Sequence, residues 1–174
     1  MLAPYQPLKE ILAKLPKKEL CEMLLAIAED FRGVEARIRL LAADESTPVK
    51  TLEDAYRGLF VGVQDNFDAE YKQCARLRAL FAAVRKAKLE PLAGVKFVLK
   101  VYASLDEMYE LTSYFEDLSG PFEYEGVVAF NYYARQLPAE TVEELVVALA
   151  QEDQWDVAEY LLESVERGFA DPLR

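Results

Sequence analysis

Helical spacing of apolar residues runs through nearly the whole chain and constrains its fold more than any other feature of the sequence. In "QPLKEILAKLP", four apolar residues between Leu8 and Leu15 occupy positions i, i+3, i+4 and i+7. The stretches 20–27, 71–84 and 95–108 repeat this spacing. Because residues three or four positions apart share one face of an α-helix, the pattern predicts a succession of amphipathic helices.

We predict an all-α fold with about eight or nine helices, arranged as antiparallel hairpins in a HEAT- or TPR-like bundle or short solenoid. The segment "VKFVLKVY" has the propensity of a strand, but helical spacing continues beyond it through Leu105 and Met108 and favours one unbroken helix. Ser46 and Thr47, which precede Pro48, form a helix-start signal. The glycines of "GLFVGV" predict an irregular helix or a short loop.

The domain organisation follows from the length. A chain of 174 residues is within the range of roughly 100–200 residues that is typical of one domain, so we predict a single domain over 1–174. Its sub-units are an N-terminal hairpin (1–45), central helices (46–136) and a C-terminal hairpin (137–174).

The two terminal hairpins resemble each other in sequence. "LPKKELCEMLLAIAEDFRGVEARIRL" and "LPAETVEELVVALAQEDQWDVAEYLL" align without gaps, and Leu15, Pro16 and Glu22 match Leu137, Pro138 and Glu144. Such helix-turn-helix units stack into α-solenoids, which normally need at least three repeats. Any two amphipathic hairpins also share Leu, Ala and Glu, so a repeat origin and a chance likeness both stay open.

The inventory of reactive side chains excludes several kinds of chemistry. The chain has no histidine, which rules out Ser-His-Asp and Cys-His catalysis and His-ligated metals. Cys21 and Cys74 are too few and too far apart for a disulfide framework or a metal-ligand spacing, and there is no glycine-rich phosphate loop. We therefore expect neither enzymatic activity nor a cofactor.

The same composition bears on location. No apolar run approaches the ~20 residues that cross a bilayer, and "MLAPYQPLKE" lacks the features of a signal peptide. We expect a cytoplasmic protein without membrane association.

Charge is divided unevenly along the chain. Residues 1–100 carry 17 Lys and Arg against 14 Asp and Glu, a net charge of +3, whereas residues 101–174 carry 3 Arg against 17 Asp and Glu, a net charge of −14. Most of the basic excess lies between Lys72 and Lys100. The total of −11 disfavours direct nucleic-acid binding. The uneven distribution of charge is compatible with two alternatives. Either the basic stretch packs beside the acidic half, or the acidic half mimics nucleic acid and inhibits a basic protein.

The segment "SYFEDLSGPFEYEGVV" combines acids and aromatics around a Ser-Gly-Pro sequence that we interpret as a turn between two helices. It fails as a calcium loop, because placing Gly120 at the sixth position puts Phe115 at the first and Gly126 at the twelfth. A looser divalent-metal site or a small enzyme site at the acidic turn 116–125 stays open as an alternative. The simpler account is that Glu116 and Asp117 end one helix and that Glu123 and Glu125 favour the N-terminus of the next.

Aromatic residues cluster in the same region and predict a binding surface. Tyr132 and Tyr133 are adjacent and cannot share one helix face, and Phe122 and Tyr124 lie beside the turn among glutamates, so some of these rings should be exposed. Exposed tyrosine and tryptophan are frequent interface anchors. The predicted partner-binding face consists of Tyr114, Asp117, Phe122, Glu123, Tyr124, Tyr133 and Trp155.

This face, with acids around aromatic rings, suits a basic or amphipathic-helical protein partner. We accordingly expect a non-enzymatic interaction or scaffold domain. The sequence leaves the identity of the partner and the oligomeric state open.

Two blocks also resemble a known group of proteins. "LPKKELCEMLLAIAED" is similar to a hairpin of bacterial helical proteins of unknown function, some of which carry SWIM-type zinc fingers. The segment "SYFEDLSGPFEYEGVVAFNYYARQLPAETVEELVVAL" resembles their second helical block, in which an acidic turn precedes a long helix and a hairpin that begins with proline. The resemblance implies a helical scaffold domain. Without histidine, the Cys-His ligand set of the zinc finger is absent.

Overall fold

The computed structural model describes residues 10–30, 38, 42–60, 67–110, 119–150 and 157–169. The α-helices within these residues are α1 (Lys17–Asp30), α2 (Val49–Arg57), α3 (Phe67–Ala87), α4 (Pro91–Tyr102), α5 (Leu105–Glu110), α6 (Val127–Ala134), α7 (Ala139–Ala150) and α8 (Val157–Glu166). A short helical turn (Ser119–Pro121) and a π-helical turn (Phe122–Gly126, called the π turn below) lead directly into α6.

The all-α class predicted from the spacing is confirmed, and the described ranges contain no strand. Stacking in the manner of a HEAT or TPR solenoid stays a prediction, as does the division into one domain with three sub-units. None of the helices in the described part combines the length and apolarity needed to span a membrane.

The connection between α3 and α4 shows how the chain ends one helix and starts the next. Lys88 follows α3 with a φ of 46°, in the left-handed region that commonly terminates helices. Glu90 then caps α4, because its side chain accepts a hydrogen bond of 3.1 Å from the Ala93 N–H, and Pro91 occupies the first turn, where its missing N–H costs nothing.

The strand-like segment 95–102 is helical, as its spacing predicts, but the helix does not continue unbroken. It ends at Tyr102, and Ala103 and Ser104 form a turn before α5. The Ser104 hydroxyl donates a 2.7 Å hydrogen bond to the Val101 carbonyl, which supports the turn. Since apolar residues keep helical spacing across this turn, the pattern alone did not reveal it.

The Ser46–Thr47 signal precedes α2 but does not cap it. Pro48 occupies the capping position of α2, without a capping side chain. Ser46 and Thr47 instead close the preceding turn: the Asp44 N–H donates to the Thr47 hydroxyl, and the Ser46 N–H donates to the Asp44 carboxylate, each over 2.8 Å.

The expected irregularity in "GLFVGV" is confirmed as far as the segment is described. α2 passes into a 3₁₀ turn at Gly58–Phe60, and Val61 to Val63 lie outside the described residues. The side chain of Gln73 on α3 donates a 2.6 Å hydrogen bond to the Leu59 carbonyl and joins the turn to the core.

The centre of the fold is the antiparallel pair formed by α4 and the stretch 119–134. Tyr133 near the end of α6 packs against Gly94 near the start of α4, and Tyr102 at the end of α4 packs against Gly126 at the end of the π turn. Each glycine lets a tyrosine side chain approach the opposite helix more closely than a methyl group would permit.

The C-terminal hairpin completes the core. α7 packs against α8 and α4 and buries Val142, Val146 and Leu149. Between α8 and α6, the Ser164 hydroxyl donates a buried 2.6 Å hydrogen bond to the Asn131 side chain, so a polar pair in the core is satisfied.

Candidate functional site

The Ser-Gly-Pro part of the acidic segment is helical and does not form the predicted turn. Ser119, Gly120 and Pro121 are already helical, and the π turn follows at once. The interpretation of Ser-Gly-Pro as the turn between two helices is therefore wrong. Proline is accepted here because the first turn of a helix needs no hydrogen bond from its N–H. In the π turn, the Val127 N–H reaches the Phe122 carbonyl five residues back.

Phe122 lies in the core, so the expectation that its ring is exposed is wrong. Its side chain is 0% exposed and packs edge-on against Tyr102 and Phe81, with ring centroids 5.0 and 5.7 Å apart. The expectation rested on its position beside a turn. Because the helix begins earlier, Phe122 occupies the buried face of a helical turn.

Tyr133 is likewise buried and does not belong to an exposed face. Its ring crosses Gly94, its hydroxyl donates a hydrogen bond to the Val84 carbonyl, and the Leu89 N–H donates to that hydroxyl over 3.1 Å. Adjacent Tyr132 is only partly buried, which agrees with the argument that the two rings cannot share a face.

Glu123 and Tyr124 do lie at the surface. The Tyr124 side chain is 46% exposed, and Glu123 is partly exposed. Tyr160 on α8, 40% exposed, donates a 3.0 Å hydrogen bond to the Glu123 carboxylate and so joins α8 to the π turn. Glu159 and Glu163 flank Tyr160 on its helix. We call these five residues, Glu123, Tyr124, Glu159, Tyr160 and Glu163, the acidic aromatic surface.

The charges of this surface act on the Tyr160 phenol. The hydrogen bond to Glu123 raises the pKa of Tyr160, and slight burial and the charges of Glu123, Glu159 and Glu163 raise it further. The carboxylates make loss of the phenol proton unfavourable. Glu163 also forms a 2.9 Å ion pair with Arg167, which offsets part of its charge. The surface therefore presents the neutral phenol of Tyr160 within a field that is negative overall.

Three other residues of the predicted face, Tyr114, Asp117 and Trp155, lie outside the described residues. Sequence reasoning did not select Tyr160, although a signal was present: Glu159 precedes it directly and Glu163 follows at i+3, on the same helix face.

The carboxylates proposed for a divalent metal have other partners where they are described. Glu123 accepts the Tyr160 hydrogen bond, and Glu125 lies 3.3 Å from Arg78 on α3. Glu116 and Asp117 fall outside the described residues. Within the described ranges, no three or more Cys, Asp or Glu side chains come together as a metal site would require.

The basic stretch contacts both halves of the chain. Arg78 pairs with Glu125 of the acidic half, whereas Lys100 pairs with Glu53 over 2.7 Å and Lys88 pairs with Glu45, both in the N-terminal half. Packing against the acidic half thus accounts for one of these three ion pairs.

No family model matches the chain, and neither a curated protein nor a solved structure matches it. The resemblance to bacterial helical-hairpin proteins accordingly stays a prediction.

Proposed function

We propose that this chain is a non-enzymatic interaction or scaffold domain whose acidic aromatic surface binds a basic, amphipathic helix of a partner protein. One observation carries the proposal. Tyr160 and Tyr124 are both exposed, the Tyr160 hydroxyl donates a hydrogen bond to the Glu123 carboxylate, and Tyr124 directly follows Glu123 in the chain.

The chemistry of this surface favours that partner class. A tyrosine ring offers apolar area together with a hydroxyl, and aromatic anchors contribute much of the affinity of many interfaces. Glu123, Glu159 and Glu163 attract lysine and arginine and speed up encounter. An amphipathic helix presents both complements at once, with an apolar stripe for the rings and flanking cations for the glutamates.

A designed peptide provides a direct test. The probe is a peptide of about 18 residues, long enough to form a helix, with leucines at helical spacing and lysine elsewhere. We expect it to bind the wild-type chain in a calorimetric titration. The double substitution Tyr124→Ala/Tyr160→Ala should weaken binding about tenfold or more, since truncating an anchor residue costs about 1.4 kcal/mol or more.

The controls separate this surface from general acidity. Val49→Ala removes an exposed apolar side chain on α2, and Glu19→Gln removes an exposed charge on α1. Both variants should bind the peptide as the wild type does. If they weaken binding as much as the tyrosine variant, or if a scrambled peptide of equal charge binds equally well, the proposed surface is wrong. The scrambled-peptide result would instead favour acidic mimicry with steep salt dependence.

A further inference from the structure

The Phe122 carbonyl in the π turn accepts two hydrogen bonds from different parts of the chain. One comes from the Val127 N–H and closes the π turn. The other comes from the Tyr102 hydroxyl at the end of α4, over 2.6 Å, in a buried position. Tyr102 is 20 residues away in sequence, so this second bond is a tertiary contact that fixes the π turn on α4.

We propose that Tyr102 is a positioning residue of the acidic aromatic surface: its buried hydroxyl holds the π turn so that Glu123 meets Tyr160. This inference rests on the proposed function for its biological meaning, because it concerns the same surface. The positioning itself is a property of the chain alone and can be measured without a partner.

Tyr102 contacts the peptide group that leads directly to Glu123. The carbonyl of Phe122 belongs to the planar unit that joins Phe122 to Glu123. Fixing that carbonyl fixes the orientation of the plane and therefore the position of the Glu123 Cα atom. From there the Glu123 side chain reaches the Tyr160 hydroxyl at 3.0 Å. A change at Tyr102 is thus transmitted through one peptide group to the exposed hydrogen bond.

Gly126 makes this arrangement possible. A methyl group at this position would lie 2.5 Å from the Tyr102 hydroxyl oxygen and 3.0 Å from a ring carbon. The first distance is shorter than real contacts of a methyl group, and the second would require the ring to shift by a few tenths of an ångström. The glycine thus leaves the space through which the hydroxyl reaches the Phe122 carbonyl.

The ring of Tyr102 is held independently of its hydroxyl. It packs edge-on against Phe122 and lies 6.1 Å from Phe81 between ring centroids. Phenylalanine at position 102 should retain these ring contacts while losing only the hydrogen bond. The substitution therefore separates positioning from packing.

The chain contains a matched control. Tyr133 is also buried, also packs against a helical glycine and also donates its hydroxyl to a backbone carbonyl, that of Val84. That carbonyl belongs to α3 and not to the π turn. Tyr133→Phe thus removes a comparable buried hydroxyl without touching the proposed link.

The experiment records the tyrosine ¹³Cζ signals of the full-length chain by NMR, with Tyr160 assigned from a Tyr160→Phe spectrum. Glu123→Gln defines the signal of a Tyr160 phenol that has lost its carboxylate acceptor. We expect Tyr102→Phe to shift the Tyr160 signal in the same direction and to lower the pKa of Tyr160 in an alkaline titration. The charges that face this phenol, on Glu123, Glu159 and Glu163, remain in the variant. Tyr133→Phe should leave the Tyr160 signal at its wild-type position.

Two results would overturn the proposal: an unchanged Tyr160 signal in folded Tyr102→Phe, or an equal shift in Tyr133→Phe. Folding of each variant is checked by circular dichroism. If Tyr102→Phe does not fold, Gly126→Ala decides in its place, since its methyl group displaces the same hydroxyl. Failure of the designed peptide to bind the wild type would refute the proposed function and leave the outcome at Tyr160 intact.

Discussion

The two tyrosine–glycine contacts between α4 and the stretch 119–134 have the same construction and different surroundings. In both, a buried tyrosine crosses a glycine of the opposite helix and donates its hydroxyl to a backbone carbonyl. Tyr133 does so beside the connection between α3 and α4. Tyr102 does so beneath the acidic aromatic surface.

The two contacts differ in which part of the tyrosine meets the glycine. At Gly94 an added methyl group would lie 2.5 and 2.6 Å from the Cδ atoms of Tyr133 and closer still to Cγ. At Gly126 the nearest atom is the hydroxyl oxygen of Tyr102. The ring atoms of Tyr133 nearest its Cβ atom cannot move without moving the backbone. The hydroxyl of Tyr102 is at the outer end of its side chain and can shift by a small rotation. The contact of Gly94 with Tyr133 therefore sets the spacing of the helices. The contact of Gly126 with Tyr102 sets the position of the Tyr102 hydroxyl.

The largest expected effect is that of Gly94→Ala. Alanine normally stabilises a helix by roughly 0.5–1 kcal/mol relative to glycine. Here the methyl group would overlap the Tyr133 ring, and we expect a loss of about 3 kcal/mol in the free energy of unfolding, at the upper end for overpacked cores. Denaturant unfolding measures it.

Gly58→Ala is the control for Gly94→Ala. Gly58 lies in the 3₁₀ turn after α2, has a φ of −64°, and has no atom within 4 Å of the added methyl group. We expect unchanged stability or a gain of about 0.4–1 kcal/mol from the less flexible unfolded chain. Equal behaviour of the two variants would contradict the role assigned to Gly94.

Gly126→Ala should cost less, about 2 kcal/mol, and should depend on the hydroxyl it meets. In the Tyr102→Phe background that oxygen is absent, so the same alanine should be clearly less destabilising. Gly94→Ala should show no such relief in the Tyr133→Phe background, because its overlap is with ring carbons. Two double-mutant cycles, measured by denaturant unfolding, compare these couplings. Additive behaviour of Gly126→Ala and Tyr102→Phe would refute the distinction between the two contacts.

Much of the helical framework could be predicted from sequence because helical spacing is a local property. The predicted apolar stripe of 71–84 places Leu77, Leu80 and Phe81 on the core-facing side of α3, and the structure buries all three. Apolar spacing does not report turns that preserve it, which is why the break at Ala103 and Ser104 escaped prediction.

The two terminal hairpins show a second limit of pattern reasoning. Leu24 of α1 and Val146 of α7 occupy equivalent positions in the aligned segments. Val146 is 0% exposed, whereas Leu24 is 42% exposed. An amphipathic pattern states which face is apolar but not what covers it. α7 is covered by α8, the next helix in the chain, and also by α4, whose residues lie far away in sequence.

The candidate site was located from sequence only as a cluster of acids and aromatics. Which rings face outwards depends on the π turn, whose extra residue rotates the side chains that follow it. It also depends on the glycines that accept Tyr102 and Tyr133, and those lie on the opposite helix. Tyr124 was correctly expected at the surface, while Phe122 and Tyr133 were not expected in the core.

Removal of the two hydroxyls should have smaller, unequal effects. Tyr133→Phe takes a donor from the Val84 carbonyl and an acceptor from the Leu89 N–H, so we expect a loss of about 1.5 kcal/mol. Tyr102→Phe should cost about 1 kcal/mol or less, because the Phe122 carbonyl keeps the Val127 N–H. Urea unfolding of both variants checks the order, and a larger loss in Tyr102→Phe would contradict it.

The smallest expected effect is a difference in alkaline stability. Burial raises the pKa of Tyr102 well above its ordinary value, and the charge of Glu123 adds to this. Burial also raises the pKa of Tyr133, opposed by the hydrogen bond from the Leu89 backbone. In the unfolded chain both phenols lose their protons near pH 10.

A phenol whose pKa is higher in the folded state keeps its proton there after the unfolded chain has lost it. Its contribution to stability is therefore fully present below about pH 10 and falls as the pH rises towards the folded-state pKa. Tyr102→Phe should therefore reduce the loss of stability at alkaline pH more than Tyr133→Phe does. The reason is that both burial and a neighbouring carboxylate raise the pKa of Tyr102. Melting temperatures of wild type, Tyr102→Phe and Tyr133→Phe between about pH 8 and pH 11 measure the difference. All three carry Tyr160→Phe in addition, because Tyr102→Phe should also lower the pKa of Tyr160. The other titrating groups then cancel in the comparison. If the melting temperatures of the wild type and Tyr102→Phe fall in parallel as the pH rises, water reaches the Tyr102 hydroxyl. The contact of Tyr102 with Gly126 would then be looser than that of Tyr133 with Gly94.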